Sequence, residues 1–219
     1  MINKLIEWVD TRAGVSEILE DEVFSKKAPR ISHWYELFGC FGGMSLILFI
    51  IQVLTGIFLL VYYVPSPKEA FSSVVFIDNG VVFGWFFRRL HAVGANVMIL
   101  LVMIHMMKVI ITGAYKAPRE LHWISGFVLL LLTMVMGISG YLLPWTQLSY
   151  WAVTVLTTSF SVMPVIGTPM MKIIRGADAV SAPTLGRFFA LHLALPVVMA
   201  SFLAVHFVMI RRSGIQENL

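Results

Sequence analysis

Two pairs of histidines lie inside apolar stretches of this sequence and share one spacing. His91 and His105 are fourteen residues apart, and so are His192 and His206. In an α-helix, fourteen residues advance about 21 Å and return to within roughly 40° of the starting face. Each pair therefore lies on nearly one side of its helix, with one histidine towards each end. A single such histidine is as easily a hydrogen-bonded packing residue or a proton-relay member, but four in register favour metal ligation.

The arrangement of the four histidines also indicates which metal group they bind. If the two helices run in the same direction, His91 lies level with His192, and His105 lies level with His206. Each level then offers two facing imidazoles, whereas a structural zinc site needs four converging ligands. Two opposed axial imidazoles leave four equatorial positions, which a porphyrin fills. The pattern therefore predicts two haems b, each with two histidine ligands.

The elements that carry these histidines are predicted to cross a membrane. The chain is 58% hydrophobic and 13% charged, whereas soluble domains have roughly 25% charged residues. A helix needs about 20 apolar residues to cross a bilayer. Four windows contain no Lys, Arg, Asp or Glu: 37–67, 90–107, 121–171 and 188–210. The third window is too long for one helix and contains three prolines, so we predict spans near 37–63, 84–108, 122–142 and 187–210.

Charge distribution orients these spans and argues against a nucleic-acid partner. With four spans both termini lie on one side of the membrane, which then holds ten of the sixteen Lys and Arg residues. The positive-inside rule makes that side cytoplasmic (the n side), so the second and fourth spans both run from the opposite p side to the n side. The net charge of +4 thus reflects topology.

Residues 2–24 mix charges with spaced apolar residues, which predicts an amphipathic helix on the membrane surface rather than a signal peptide.

Glycines on the two spans without histidine pairs repeat the same spacing. Gly42 and Gly56 are fourteen apart on the first span, and Gly126 and Gly140 are fourteen apart on the third. Glycine also permits ordinary close packing of membrane helices. Two pairs in the histidine register predict instead that flat haem planes rest against bare backbone at both levels.

Two arginines precede the p-side histidines. Arg88 lies three residues before His91, and Arg187 lies five residues before His192. They are candidates for charge-assisted pairing with haem propionates, or they anchor the membrane end of their helices.

Together with these residues, four motifs resemble the cytochrome b family, most closely the short cytochrome b6 type. They are "CFGG" at 40–43, "PRELHWISG" at 118–126, "GYLLPW" at 140–145 and "MIRRSGI" at 209–215. The resemblance covers nearly the whole chain, as a single domain over 1–219. It implies an all-α membrane protein, a four-transmembrane-helix haem-binding bundle with an N-terminal amphipathic surface helix. The three further helices of long cytochrome b would come from a separate subunit IV-like chain.

The resemblance implies a role as the di-haem b subunit of a proton-translocating quinol–cytochrome c, or plastocyanin, oxidoreductase with a Q cycle. Quinol is oxidised near the p side, where one electron goes to a Rieske iron–sulfur protein and a c-type cytochrome. The other electron crosses from the p-side haem to the n-side haem and then to a quinone. The chain would be one part of an enzyme complex, expected to be dimeric, in a bacterial cell membrane or a thylakoid membrane.

The same resemblance implies further site residues. Pro144, Trp145, Thr146 and Gln147 match the p-side quinol pocket, with the segment 150–166 behind them. Thr146 departs from the family, which often has an acidic residue there, so a proton role at this position is in doubt. The spacing of His192 and His206 is a second departure. A spacing of fourteen residues on the fourth span is typical of long cytochrome b and not of the short type.

Two more residues are implied on the n side. Arg211 matches an arginine near the n-side haem and quinone site, or is a helix-end anchor. Cys40 matches a cysteine that holds a third haem, haem c, through one thioether bond; the alternative is a packing residue.

Two rival functions remain. One is a di-haem membrane anchor of another respiratory dehydrogenase, and the other is a non-redox membrane protein whose histidines relay protons. His33 and His122 are predicted to be non-ligands near the n-side surface, without registered partners.

Overall fold

A computed structural model describes Lys4, residues 41–117 and residues 119–213, with residues 211–213 as backbone only. The predicted N-terminal surface helix, His33, Cys40 and the side chain of Arg211 lie outside this description. Every regular element in the described ranges is helical. The helices are α1 (Phe41–Tyr62), α2 (Ala70–Gly80), α3 (Gly84–Ile111), α4 (Glu120–Leu142), α5 (Gln147–Ser159), α6 (Gly167–Arg175) and α7 (Ala182–Ser213), with a 3₁₀ turn at Phe160–Val162 between α5 and α6.

Four of these helices are long and apolar enough to cross a membrane, namely α1, α3, α4 and α7. They confirm the four predicted spans and the all-α class. The main differences are at the ends: α3 continues three residues beyond 108, and α7 begins five residues before 187. Both extensions carry the helix past the apolar window towards the aqueous phase, since a helix of about 20 residues already crosses the bilayer.

The long helices pack as two pairs. α1 packs along α3, and α4 packs along α7. By contrast, α3 and α7, the two helices with the histidine pairs, share almost no close backbone contacts among the described residues. The space between them is bridged by side chains, which leaves room for a group held from both sides.

A buried apolar layer closes the middle of the bundle. Phe49, Met98 and Met199 form its centre, with partly buried Leu and Met side chains of α1, α4 and α7 around them. Met98 lies seven residues after His91, and Met199 lies seven residues after His192. Seven residues are about two turns, so this mid-bundle layer (Phe49, Met98 and Met199) lies half-way between the two histidine levels.

The segment between α4 and α7 folds over one end of the bundle around a buried arginine. Arg175 is 5% exposed. Its Nε donates to Thr157 Oγ1 at 2.7 Å, and Nη2 donates to Thr158 Oγ1 at 2.7 Å and to the Thr154 carbonyl at 2.9 Å. Nη1 donates to the Asp178 carbonyl at 3.0 Å. Because the buried guanidinium is satisfied by these acceptors, it ties α6 to α5.

Neither α2 nor the link through Arg175 was predicted from the sequence. α2 has eleven residues, too few to cross a bilayer, and no motif marks it. α5 lies in the connection between the third and fourth predicted spans, and a buried apolar cluster holds it in place. That cluster joins α4, α5 and α7 through Leu142, Val153, Val180 and Phe188.

Candidate functional site

On the first helix pair, each predicted histidine lies against a predicted glycine. A methyl group built on Gly56 of α1 would lie 3.3 Å from Cε1 of His91 on α3. One built on Gly42 would lie 3.2 Å from Cε1 of His105. The imidazoles therefore occupy the space that any larger residue at these two positions would fill.

The second helix pair repeats this geometry. A methyl group on Gly126 of α4 would lie 3.3 Å from Cε1 of His206 on α7, and one on Gly140 would lie 2.7 Å from Cε1 of His192. The four glycines and four histidines singled out in the sequence thus meet one to one. Both helix pairs are antiparallel, since the later glycine meets the earlier histidine in each.

The histidines also meet across the two helix pairs. The ring centroids of His91 and His192 are 6.3 Å apart, with the rings inclined at 72°. Metal–imidazole bonds are about 2 Å long, so two opposed imidazoles sharing one metal have centroids about 6 Å apart. At the other level, His105 and His206 each lie against a glycine, Gly42 and Gly126 respectively.

Hydroxyl groups contact three of the four imidazoles. Nδ1 of His91 lies 2.9 Å from Thr55 Oγ1. Nδ1 of His206 lies 2.7 Å from Ser125 Oγ, and Nδ1 of His192 lies 3.0 Å from Ser139 Oγ. Each hydroxyl residue directly precedes the glycine that faces the same histidine. The hydroxyls were missed in the sequence, although this position before three of the four glycines was a visible signal.

These contacts favour the tautomer with the proton on Nδ1. A hydroxyl has one proton to donate. Those of Thr55, Ser125 and Ser139 donate to backbone carbonyls one turn earlier, those of Ile51, His122 and Met136, at 2.7, 2.8 and 3.0 Å. The hydroxyl oxygen therefore accepts from Nδ1–H of the imidazole. Nε2 is then unprotonated, and its lone pair is available to a metal.

His105 differs from the other three histidines. The residue before its glycine is Phe41, which has no hydroxyl. Ser45, one turn further along α1, donates its hydroxyl to the Phe41 carbonyl at 2.8 Å and not to an imidazole. Within the described ranges no hydrogen bond to the His105 ring is present.

His122 lies closer to the site than the sequence indicated. Its ring packs against that of His206, with centroids 5.9 Å apart and an angle of 64°. The sequence analysis gave His122 no partner in the fourteen-residue register, and it did not predict this ring contact. It was missed because α4 brings it beside α7 only after the helices pack.

A buried amide is a further residue that the sequence analysis missed. Gln52 of α1 is 6% exposed, and its Nε2 has no hydrogen-bond partner among the residues that the structure describes. It crosses towards α3 at Gly94, where a methyl group would collide with Nε2. Gly94 thus lets a polar side chain enter the bundle one turn from the His91 level.

The donor set fits a flat group held along one axis. Among the residues that the structure describes, no three His, Cys, Asp or Glu side chains converge on one point. Each level instead offers two imidazoles, and each imidazole lies against bare glycine backbone. That combination suits a haem held by two histidines, with space for a flat macrocycle beside the glycines.

Both arginines contact the shorter helices of the fold. Nε of Arg88 donates to Asp78 Oδ1 of α2 at 2.5 Å. Nη1 of Arg187 donates to the Ile173 carbonyl of α6, and its guanidinium lies against Gly176. These contacts support the anchoring role, and the role towards propionates stays a prediction.

Three of the four predicted quinol-pocket residues line a cavity of about 330 Å³. Its walls are Trp145, Thr146, Gln147, Tyr150 and Trp151. Pro144 is not among them and instead lies in the turn between α4 and α5. Trp145 has a φ of 51°, a left-handed conformation that costs a residue with a Cβ about 1–2 kcal/mol.

Thr146 has a structural role in this turn. It is the N-cap of α5, where its Oγ1 accepts from the Ser149 backbone N–H at 3.2 Å. On the segment that follows α5, Nζ of Lys172 lies 2.7 Å from Oδ1 of Asp178. The hydrogen bond and charge of Lys172 hold the pKa of this carboxyl below its usual value.

The fold and site define a membrane bundle with two levels of facing imidazoles. The family model described as cytochrome b/b6/petB matches residues 24–214. The chain belongs to the cytochrome b family: it is a multi-pass membrane protein that carries electrons and binds haem b.

A solved structure has the same fold. The chain is similar to one titled "Hyperthermophilic respiratory Complex III", with 36% identity and a TM-score of 0.77. The match covers 96% of this chain and 56% of that one, so this chain spans little more than half the length of its relative.

Proposed function

We propose that this chain, a single domain over 1–219, is the di-haem b subunit of a quinol–cytochrome c or plastocyanin oxidoreductase. His91 and His192 would hold the p-side haem, and His105 and His206 the n-side haem. The observation that carries this assignment is the one-to-one contact of four histidines with four glycines at two depths. A flat haem needs space next to its histidine ligands, and glycine provides it because it has no side chain. A proton relay through the same imidazoles does not need that space.

Residues of this chain would orient the histidine ligands at both levels before haem binds. Hydroxyls of Thr55, Ser125 and Ser139 hold the proton of three histidines on Nδ1, which leaves Nε2 as the ligand atom. Arg88 and Arg187 lie at the p-side membrane end, where their guanidinium groups would pair with propionates. When bound, the haems supply one-electron carriers at two depths of the bilayer.

The p-side cavity is the proposed site of quinol binding. Its aromatic walls, from Trp145, Tyr150 and Trp151, suit the flat apolar ring of a quinol. Gln147 accepts from Trp151 Nε1 at 3.1 Å, which fixes the indole at the cavity wall. Thr146 offers a hydroxyl but no carboxylate, so a proton acceptor for quinol would have to be another group.

The remaining features of the proposal concern the n side and the assembly. Both termini would lie on the n side, with Arg211 near a quinone site and Cys40 bound to a haem c by one thioether. A subunit IV-like chain, a Rieske protein and a c-type cytochrome would complete a dimeric complex.

Haem counting with single histidine variants tests this function. Pyridine haemochrome spectra of membranes with the intact complex should give two haems b per chain. His91→Leu and His192→Leu should each remove the same haem and leave the other spectrum in place. His122→Leu is the matched control, since it removes a neighbouring imidazole and should retain both haems. Absence of haem from the wild type would favour the proton-relay protein, and loss of different haems would refute the pairing.

A further inference from the structure

A side-chain hydrogen bond joins the two helix pairs near the proposed quinol cavity. Tyr63 directly follows α1, and its hydroxyl donates to the Leu143 carbonyl at 2.7 Å. Leu143 is the C-cap of α4. The last carbonyls of a helix have no donor within that helix, so Tyr63 satisfies an acceptor that α4 leaves open. A residue of the first pair thus holds the end of a helix of the second pair.

The bonded carbonyl belongs to the turn that places an indole in the cavity wall. Leu143 is followed by Pro144 and then by Trp145, whose φ is 51°. The Trp145 backbone N–H donates to the Leu142 carbonyl at 2.9 Å, and the indole lines the cavity. A left-handed residue with a Cβ persists only where the surrounding contacts enforce that conformation. The Tyr63 hydroxyl supplies one such contact, two residues before Trp145.

We propose that Tyr63 is a positioning residue for quinol, because its hydrogen bond keeps the turn in the conformation that holds the Trp145 indole in the cavity wall. The inference deepens the proposed function and rests on it, since it requires quinol to bind in this cavity. Tyr63 is not one of the residues that line the cavity. It therefore acts through Trp145 and not by contact with quinol, and its effect falls on quinol binding and not on the haems.

The packing of Tyr63 allows its hydroxyl to be removed alone. The ring lies against Phe189 of α7, with centroids 5.6 Å apart and an angle of 40°. Phenylalanine at position 63 would keep this aromatic contact and lose the hydrogen bond.

The neighbouring Tyr62 provides a matched control. It is 36% exposed, and its ring packs on Phe58 of its own helix with centroids 5.5 Å apart. Its hydroxyl has no hydrogen bond to the residues that the structure describes. Tyr62→Phe therefore removes a tyrosine hydroxyl one residue away without touching the turn.

The kinetics of haem reduction by quinol in the intact complex test the proposal. The substrate is quinone extracted from the same membranes and chemically reduced beforehand. Tyr63→Phe should raise KM for quinol roughly fivefold, from the loss of one neutral hydrogen bond. It should leave kcat and the haem spectra unchanged, because a loss of binding alone raises KM. A merely structural role would lower haem content and kcat as well, and Tyr62→Phe should match the wild type.

A double-variant cycle tests whether Tyr63 acts through Trp145. Trp145→Gly has no indole, and glycine adopts a left-handed φ without strain. In that background Tyr63→Phe should cause no further rise in KM, and separate rises that multiply would overturn the proposal. If Tyr63→Phe alone fails to assemble, the double variant should assemble, because its turn no longer has to be held. Failure of both to assemble would also overturn the proposal.

The outcomes separate this inference from the proposed function. A wild-type complex that binds no haem, or that does not oxidise quinol, would overturn both. If the wild type oxidises quinol and Trp145→Gly raises KM, while Tyr63→Phe keeps the wild-type KM, the inference alone is wrong. A rise in KM that occurs in Tyr63→Phe, but not in Tyr62→Phe or in the Trp145→Gly background, is the result that supports it.

Discussion

Gly140 and His192 form the closest of the four glycine–histidine contacts. A methyl group on Gly140 would lie 2.7 Å from Cε1 and 3.4 Å from Nε2 of the imidazole. Side chains rarely approach to 2.7 Å, so even alanine at this position would displace the ring. The contact makes Gly140 the most sensitive test of the bare backbone behind each histidine.

Gly140→Leu should therefore lose the p-side haem while the chain still inserts into the membrane. The leucine side chain would fill the space of the macrocycle and push His192 aside. Difference spectra of membranes would show the loss, and immunoblotting would show normal insertion. Gly186→Ala is the control, because nothing lies within 4 Å of a methyl group there. Normal binding of both haems by Gly140→Leu would contradict the role of the glycines.

Trp145 combines an unfavourable backbone conformation with a place in the cavity wall. Trp145→Gly should relieve about 1–2 kcal/mol of left-handed strain, yet it should reduce quinol oxidation several-fold by removing an aromatic wall. Trp145→Ala would lose the wall and keep the strain. Thermal unfolding and the rate of haem reduction by quinol measure the two effects. Equal quinol oxidation by Trp145→Gly and wild type would show that the cavity is not the quinol site.

Arg175→Met should weaken the p-side segment and leave the haem levels intact. The change leaves buried acceptors of α5 without donors, which should destabilise this segment by about 2–4 kcal/mol. Limited proteolysis would show faster cleavage between α5 and α7, with both haem spectra retained. Lys172→Met is the control, since Lys172 pairs at the surface with Asp178 and surface pairs contribute little. Unchanged proteolysis of Arg175→Met would contradict the link between α5 and α6.

Cys40 should carry a covalent haem. A thioether survives denaturation, whereas haems held by histidine alone dissociate. Denaturing electrophoresis with a haem-peroxidase stain should give a band near 24.6 kDa, and Cys40→Ala should lose it. Both haems b should remain in that variant. A wild-type chain without stain would make Cys40 a packing residue.

The parts of the site that the sequence predicted are those encoded by spacing along one helix. A fourteen-residue interval places His91 and His105, or Gly42 and Gly56, on one face whatever the helix packs against. Uncharged windows likewise predicted four spans to within a few residues at most ends. Both signals are local, so they are visible before any tertiary contact forms.

The parts that were missed depend on contacts between helices. Thr55 and Ser139 look like ordinary membrane-helix residues, because each also bonds a carbonyl of its own helix. Only packing against α3 or α7 brings an imidazole to the same oxygen. The partner of Arg88 was missed for the same reason. Asp78 lies ten residues earlier, on a helix that no sequence pattern predicted.

The division of the bundle into an α1–α3 pair and an α4–α7 pair bears on how the protein is made. In the proposed ligation every haem takes one histidine from each pair, so a nascent chain that has inserted only α1, α3 and α4 holds half of each ligand set. Neither iron can be ligated from both sides until the last helix enters the membrane. Binding of each haem by two histidines would then occur only after translation and insertion of α7 are complete. A chain arrested before α7 would leave His91 and His105 without opposing ligands, and this unfinished state is one that a quality-control protease can distinguish.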